Sequence, residues 1–194
     1  MRSVAVFCGS SKGANGLYSA AAEELGRLLG RRGITLVYGG GNVGLMGVLA
    51  RAALGEGGRV VGVIPEHLLP YEVALPEATE MRVVASMHER KALMADLAEA
   101  FVTLPGGLGT MEEFFEVWTW AQLGLHRKPL GLLDAGGYFD PLVRFLDHAV
   151  SEGFVRPVHR GLVVVERAPA RLLRALEGYR PPEGSEDLAR WIER

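Results

Sequence analysis

The sequence predicts an α/β fold with an open, mostly parallel sheet of about seven strands and helices on both faces. Short apolar runs alternate along the chain with longer amphipathic runs, which is typical of parallel strands joined by helical crossovers. Several of the short runs also end in glycine, proline or a small polar residue. Because an open parallel sheet binds its ligand beyond the carboxyl ends of its strands, these endings mark the expected crevice.

The short apolar runs predict the individual strands, and the longer amphipathic runs predict the helices. The predicted strands are Ser3–Gly9, Ile34–Gly40, Arg59–Pro65, Met81–Ser86, Ala100–Gly107, Pro129–Asp134 and Leu162–Glu166. The predicted helices are about Leu17–Arg32, Leu45–Leu54, Met87–Leu97, Met111–Leu123, Asp140–Glu152 and Pro169–Leu176. Leu68–Glu80, with its two prolines, is predicted to be a long loop, and a short helix capped at Ser185 could close the chain. No linker or repeat divides the 194 residues, so a single domain over residues 1–194 is expected.

Composition limits the partners that the chain is expected to have. The formal net charge of −2 at pH 7 provides no basic field that would attract nucleic acid or an anionic membrane. No apolar run approaches the roughly 18 residues of a membrane span, and no leader pattern is evident, so a cytoplasmic location is expected. Cys8 is the only cysteine, which excludes an intrachain disulfide and a cysteine-based zinc site. We interpret it as a buried thiol.

Two glycine-containing turns carry weak signals for a ligand. "CGSSKGANG" follows the first strand and offers backbone donors and the hydroxyls of Ser10 and Ser11. "GGGNVGLMG" contains the spacing G-x-G-x-x-G after the second strand, with Glu66 about 20 residues on, as a dinucleotide-binding fingerprint requires. The acid follows a proline rather than the strand, and the motif belongs to the second strand, so dinucleotide binding is disfavoured.

The third turn, "LPGGLGTMEE" (Leu104–Glu113), carries the strongest signal. Free N–H groups at a helix start form an anion site, and Gly106, Gly107 and Gly109 would let a phosphate approach the backbone closely. No Gly-Lys-Ser/Thr sequence occurs, which excludes a P-loop for triphosphates. The turn therefore predicts a monophosphate site.

Thr110 and Glu113 allow two interpretations. Thr-x-x-Glu is the capping box, in which both side chains bind backbone donors at a helix start. Alternatively, Glu113 shares a helix face with Glu116 and Trp120, which places a carboxylate near the crevice.

The stretch "SMHERKALM" (Ser86–Met94) contains a second capping box, formed by Ser86 and Glu89. Arg90 follows on a face shared with methionines, and no acid lies three or four residues away on either side. Arg90 is either a solvated surface residue, or its anion comes from elsewhere in the fold or from a ligand.

"SMHERKALM" followed by "LPGGLGTMEEFFEVWTWAQLGLH" closely resembles the LONELY GUY (LOG) family of cytokinin riboside 5′-monophosphate phosphoribohydrolases, long labelled lysine decarboxylases. The likeness extends from "FCGSS" through "YGGGNVGLMG" to "KPLGLLDAGGYFDPL" and "EGF", and leaves about the last 30 residues without a motif.

The resemblance implies a Rossmann-like fold and a homodimer with the site near the subunit interface. It also implies hydrolysis of a purine nucleoside 5′-monophosphate, a cytokinin nucleotide or AMP, to the free base and ribose 5-phosphate. Arg90 and Glu113 match the family's catalytic pair. The candidate substrate-binding residues, from the family pattern and from the glycine turns, are Ser10, Gly41, Glu72, Lys91, Gly106, Gly107, Gly109, Thr110 and Thr119.

The residue types suit this chemistry. Cleavage of the N-glycosidic bond builds positive charge on the ribose, and a carboxylate such as Glu113 either stabilises this charge or orients or deprotonates the attacking water. Arg90 stays charged at any working pH and acts as an electrostatic clamp. No metal and no cofactor are expected, since the five histidines show no metal-ligand spacing.

Two other functions are compatible with parts of the sequence. A pyridoxal phosphate decarboxylase would need one of three lysines, and Lys91 sits beside an arginine that would depress its charge. A non-catalytic nucleotide or molybdenum-cofactor carrier is the stronger alternative.

Overall fold

A computed structural model of the chain describes residues 1–69 and 74–185. Its seven strands are β1 (Ser3–Phe7), β2 (Thr35–Tyr38), β3 (Val60–Pro65), β4 (Glu80–Val84), β5 (Ala100–Thr103), β6 (Leu130–Leu133) and β7 (Val163–Glu166). All six pairings between neighbouring strands are parallel, and the sheet order is β4-β3-β2-β1-β5-β6-β7. The seven strands predicted from the apolar runs are confirmed.

Seven α-helices connect and flank the strands in the described residues. They are α1 (Gly16–Arg31), α2 (Gly44–Gly55), α3 (Met87–Leu97), α4 (Leu108–Gln122), α5 (Asp140–Ser151), α6 (Pro157–Arg160) and α7 (Pro169–Glu177). The six predicted helices are confirmed, but α4 begins three residues earlier than predicted. The four-residue helix α6 was not predicted, because a single turn is too short to show a period.

The sheet has a hydrophobic core on each face, so the prediction of helices on both faces is confirmed. Alternate strand residues point to opposite faces. Val4 and Val6 of β1 join the core beneath α1, α2 and α7, whereas Ala5 and Phe7 join the core beneath α3, α4 and α5. α1 and α2 approach so closely that a side chain at Gly26 would overlap the carbonyl oxygen of Leu49.

The first strand, β1, lies in the middle of the sheet, and its position determines where the crevice lies. From β1 it runs outward to the edge strand β4, then returns to β5 on the other side of β1. The loops after β1 and β5 therefore leave in different directions, which is the topological switch point where open α/β sheets bind ligands.

Two predicted elements lie wholly or partly outside the described residues. These are the middle of the predicted loop Leu68–Glu80 and the closing helix predicted after Ser185. The single domain predicted for residues 1–194 stays a prediction. In the described part of the chain, no helix is both long and apolar enough to cross a membrane.

Candidate active site

A cavity of about 200 Å³ opens at the carboxyl ends of the central strands. Its walls come from β1 and the turn after it, from the turn after β2, and from α2, α3 and α4. The lining residues are Val6, Phe7, Cys8, Ser10, Gly39, Met46, Met87, Arg90, Gly107, Leu108, Gly109, Thr110 and Glu113. The cavity thus brings together both predicted catalytic residues and four of the predicted substrate-binding residues.

The first turn of α4 forms one wall of this cavity. Gly107 is the N-cap residue, and the first intrahelical hydrogen bond runs from the Met111 N–H to the Gly107 carbonyl. The N–H groups of residues 108–110 therefore precede the helical hydrogen-bond ladder, at the positive end of the helix dipole. A Cβ at Gly107 or Gly109 would meet no atom within 4 Å, so the space above both glycines is open to a ligand.

The capping-box interpretation of Thr110 and Glu113 is wrong. It requires Thr110 to be the N-cap residue, but the helix begins at Leu108, and Thr110 lies within its first turn. Thr110 is buried and packs against Gly106, where an added Cβ would overlap its hydroxyl oxygen.

Glu113 lies one helical turn beyond Thr110 and is only 9% exposed. Glu113, Arg90 and the thiol of Cys8 line the same cavity. Burial raises the pKa of Cys8, the negative charge of Glu113 raises it further, and the positive charge of Arg90 opposes them. Cys8 is a buried free thiol, as predicted.

Arg90 is 6% exposed, so its interpretation as a solvated surface residue is wrong. One Nη atom donates a hydrogen bond to the carbonyl oxygen of Gly39 over 3.0 Å. A side chain at Gly39 would overlap this guanidinium group, which explains the glycine. The predicted capping box of α3 is confirmed in part. The Ser86 hydroxyl accepts from the Glu89 N–H over 3.1 Å, but the Glu89 carboxylate accepts from the Ala85 N–H over 2.9 Å instead of from that of Ser86.

The glycines of the second turn serve internal packing. The Leu45 N–H at the start of α2 donates to the carbonyl oxygen of Gly9 over 3.0 Å, and this occupies a donor that a pyrophosphate would need. Gly44 has a φ of 62°, and a side chain there would overlap the backbone of Ser10. Gly41 pairs with Ala74 and does not line the cavity.

Lys91 and Thr119 do not line the cavity either. Lys91 is buried and forms ion pairs with Glu112 and with Glu116, the latter over 3.0 Å. Burial would lower the pKa of Lys91, but the two carboxylates outweigh burial and raise it. The expectation that Arg90 depresses the charge of Lys91 is therefore wrong.

Lys91 instead joins α3 to α4, the two helices that carry Arg90 and Glu113. Thr119 is exposed, and its hydroxyl donates to the carbonyl oxygen of Phe115 over 2.7 Å. Glu72 lies outside the described residues.

Tyr138 is a residue at this site that the sequence patterns did not indicate. Its hydroxyl donates to the carbonyl oxygen of Gly106 over 2.6 Å. It lines a second cavity, of about 210 Å³, which shares Ser10 and Gly107 with the first. Its place just after β6 was the available signal, because that strand ends at the same edge of the sheet.

No group of three or more His, Cys, Asp or Glu side chains among the described residues is arranged to hold a metal ion.

Comparisons with known proteins show which family the chain belongs to. Residues 46–176 match the sequence model of a family described as "Possible lysine decarboxylase". The chain is 54% identical over 181 residues to "Probable cytokinin riboside 5'-monophosphate phosphoribohydrolase LOGL5" of Oryza sativa subsp. japonica, covering 93% of this chain and 74% of the rice protein. It is 51% identical over 178 residues to "Cytokinin riboside 5'-monophosphate phosphoribohydrolase LOG7" of Arabidopsis thaliana, covering 92% of this chain and 82% of that protein.

A solved structure shares the fold at lower sequence identity. The molybdenum cofactor binding protein from Rippkaea orientalis superposes with a TM-score of 0.69 at 21% identity, covering 91% of this chain and 95% of that one. This likeness shows the fold alone.

Proposed function

The chain belongs to the LONELY GUY (LOG) family of cytokinin riboside 5′-monophosphate phosphoribohydrolases, and from this membership and the site geometry we propose that it hydrolyses the N-glycosidic bond of purine riboside 5′-monophosphates. Water adds to C1′ of the ribose as the bond to the base breaks. The base leaves with a proton, and the products are the free base and ribose 5-phosphate. We propose that AMP is accepted as well as cytokinin nucleotides.

One observation carries the proposal: a buried carboxylate and a buried guanidinium line one cavity beside an open helix N-terminus. The substrate phosphate binds the N–H groups of the first turn of α4, above Gly107 and Gly109. This places C1′ against Glu113, whose carboxylate stabilises the positive charge that develops on the ribose. Arg90 keeps its charge at any working pH, so it acts as an electrostatic clamp and not as a proton donor.

The size of the cavity indicates how the substrate is placed. Its volume of about 200 Å³ is smaller than the roughly 300–1,000 Å³ of complete small-molecule pockets. The cavity therefore holds the ribose 5-phosphate part, and the base extends to the mouth. Leu108 lies at this mouth and is 91% exposed.

We further propose a homodimer in which the second copy covers this mouth. Leu108, Met111 and Phe115 follow one another at helical spacing on α4, and both Leu108 and Phe115 are exposed. Sedimentation should then give twice the chain mass of 21.0 kDa. A cytoplasmic location is also part of the proposal, since a phosphorylated substrate does not cross membranes freely.

The alternatives have less support. The raised pKa of Lys91 keeps its amine protonated, which opposes the Schiff base that a pyridoxal phosphate enzyme requires. The carrier alternative rests on a shared fold at 21% identity, and a shared fold does not identify the ligand or the function.

The test is release of free base from four substrates: AMP, a cytokinin riboside 5′-monophosphate, and the two matching ribosides without phosphate. We expect both monophosphates to yield base and ribose 5-phosphate without added metal or pyridoxal phosphate. Because remote phosphate binding helps to drive the chemical step, the ribosides should react on the order of 10² times more slowly. Comparable rates for adenosine and AMP would contradict the phosphate site. Tight AMP binding without cleavage would favour a carrier.

A further inference from the structure

The hydrogen bond from Tyr138 to Gly106 fixes one peptide group of the turn between β5 and α4. The Tyr138 hydroxyl donates to the Gly106 carbonyl over 2.6 Å, from a position 32 residues further along the chain. The carbonyl of the preceding residue, Pro105, accepts from the Gly9 N–H over 3.0 Å. Two successive carbonyl groups of the turn are therefore held by other loops of the same sheet edge.

Tyr138 stands on a well-supported loop. Its neighbour Phe139 donates its N–H to the buried carboxylate of Asp134 over 2.7 Å, and Arg167 contacts the other carboxylate oxygen over 3.2 Å. The Tyr138 ring packs edge-on against Tyr18, with 5.4 Å between the ring centroids. The hydroxyl is thus presented to Gly106 by a loop that is itself held in place.

Because the peptide group is planar, this hydrogen bond also determines the direction of the Gly107 N–H. The described residues contain no cis peptide bond, and in a trans peptide the carbonyl and the N–H point in opposite directions. With the Gly106 carbonyl directed at Tyr138, the Gly107 N–H points away from Tyr138. Gly107 lines both cavities, whereas Tyr138 lines only the second, so an N–H that points away from Tyr138 can serve a ligand in the catalytic cavity.

A peptide between two glycines can flip at little cost, because glycine accepts backbone angles that other residues avoid. A flipped peptide would present the Gly106 carbonyl oxygen, instead of the Gly107 N–H, to the substrate phosphate. An oxygen at that place would repel an anion. The turn therefore needs an external contact to keep one orientation.

We propose that Tyr138 is a positioning residue that holds the Gly106–Gly107 peptide with its N–H available to the 5′-phosphate of the substrate, an inference that rests on the proposed function. Tyr138 does not touch the reacting atoms in this arrangement. It acts on phosphate recognition alone, through the backbone. Its loss should change the preference for phosphorylated over unphosphorylated substrate, and it should leave the cleavage of ribosides as it is.

The test compares Tyr138→Phe with Tyr18→Phe. Both variants keep their rings, and for Tyr18 no side-chain hydrogen bond is found in the described part of the chain, which makes it a matched control. For Tyr138→Phe we expect kcat/KM with AMP to fall about tenfold, with kcat/KM for adenosine and the Tm unchanged. The affinity for ribose 5-phosphate, measured by calorimetry without turnover, should fall by the same factor. Tyr18→Phe should match the unmodified protein in all four measurements.

The other possible results would contradict either the role of Tyr138 or the proposed function. Equal losses with AMP and adenosine would make Tyr138 merely structural, and unchanged binding of ribose 5-phosphate by Tyr138→Phe would remove its role altogether. If the unmodified protein binds ribose 5-phosphate but cleaves no nucleotide, the proposed function fails, and the binding comparison still tests Tyr138. If the unmodified protein does not bind ribose 5-phosphate, both statements fail.

Discussion

Replacement of Gly109 by alanine should stabilise the protein and impair its activity. Gly109 is the second residue of α4, it has no positive φ, and a Cβ there would meet no atom within 4 Å. Alanine forms helices more readily than glycine and restricts the unfolded chain, so unfolding should cost about 0.5–1 kcal/mol more. For a chain of this length, that gain corresponds to a rise in Tm of roughly 1–4 °C.

The same methyl group enters the space above the α4 N-terminus where we place the phosphate. It would displace the substrate by about 1 Å, a shift that can lower the rate by on the order of 10². Thermal unfolding and kcat/KM with AMP therefore report opposite effects of one substitution. Gly55→Ala is the matched control, because Gly55 also lies in a helix with no atom within 4 Å of its added Cβ, and it lines neither cavity. An unchanged kcat/KM in Gly109→Ala would refute the phosphate position.

Two further predictions concern a carboxylate and a histidine. Glu113→Gln should lower kcat by on the order of 10² or more while retaining the fold, because it removes one preorganised charge. Glu24→Gln, the same change at an exposed position of α1, should retain activity. Near-normal turnover of Glu113→Gln would contradict the catalytic assignment. His126 bonds to the Val117 carbonyl through Nε2 and accepts from the Lys128 N–H at Nδ1, and burial lowers its pKa despite the opposing Val117 bond. Because its pKa is lower in the folded protein, His126 binds a proton more readily in the unfolded chain. The folded state therefore keeps its full stability above about pH 6.5 and loses part of it as the pH falls below that value. Tm should drop from pH 7 to pH 5, and the drop should be smaller in His126→Gln; an identical drop in both proteins would contradict this account.

The sequence patterns were sufficient for the strands and for most helices, because each buried parallel strand is a continuous apolar run and most of the helices have an apolar stripe. The predicted start of α4 was wrong, and the reason is informative. Gly107 and Gly109 have low helix propensity, so the local pattern placed the start at Met111, whereas the helix begins at Leu108. A helix whose first turn contains glycine is locally unfavourable, and the open space above those glycines gives a functional reason for it.

Contacts between distant parts of the chain could not be predicted from local spacing. Arg90 has no acid three or four residues away on its helix, and the carbonyl that it binds, at Gly39, lies 51 residues away. The family resemblance implies that Lys91 lines the site, but Lys91 forms ion pairs with Glu112 and Glu116 of α4. Tyr138 was not singled out, because a tyrosine in a loop shows no period that would point to its partner.

The order of the strands also determines how local unfolding affects the site. Residues that line the catalytic cavity come from β1, from the turns after β1 and β2, and from α2, α3 and α4, whereas the edge strands β4 and β7 contribute none. Amide hydrogens of β1 and β5, with a paired strand on each side, should exchange with solvent only when most of the protein opens, while those of the edges exchange through smaller openings. Fraying at the β7 edge therefore leaves Arg90 and Glu113 in place, whereas β4 leads directly into α3, the helix of Arg90. A ligand that slows exchange at the centre more than at the β7 edge would mark the occupied site.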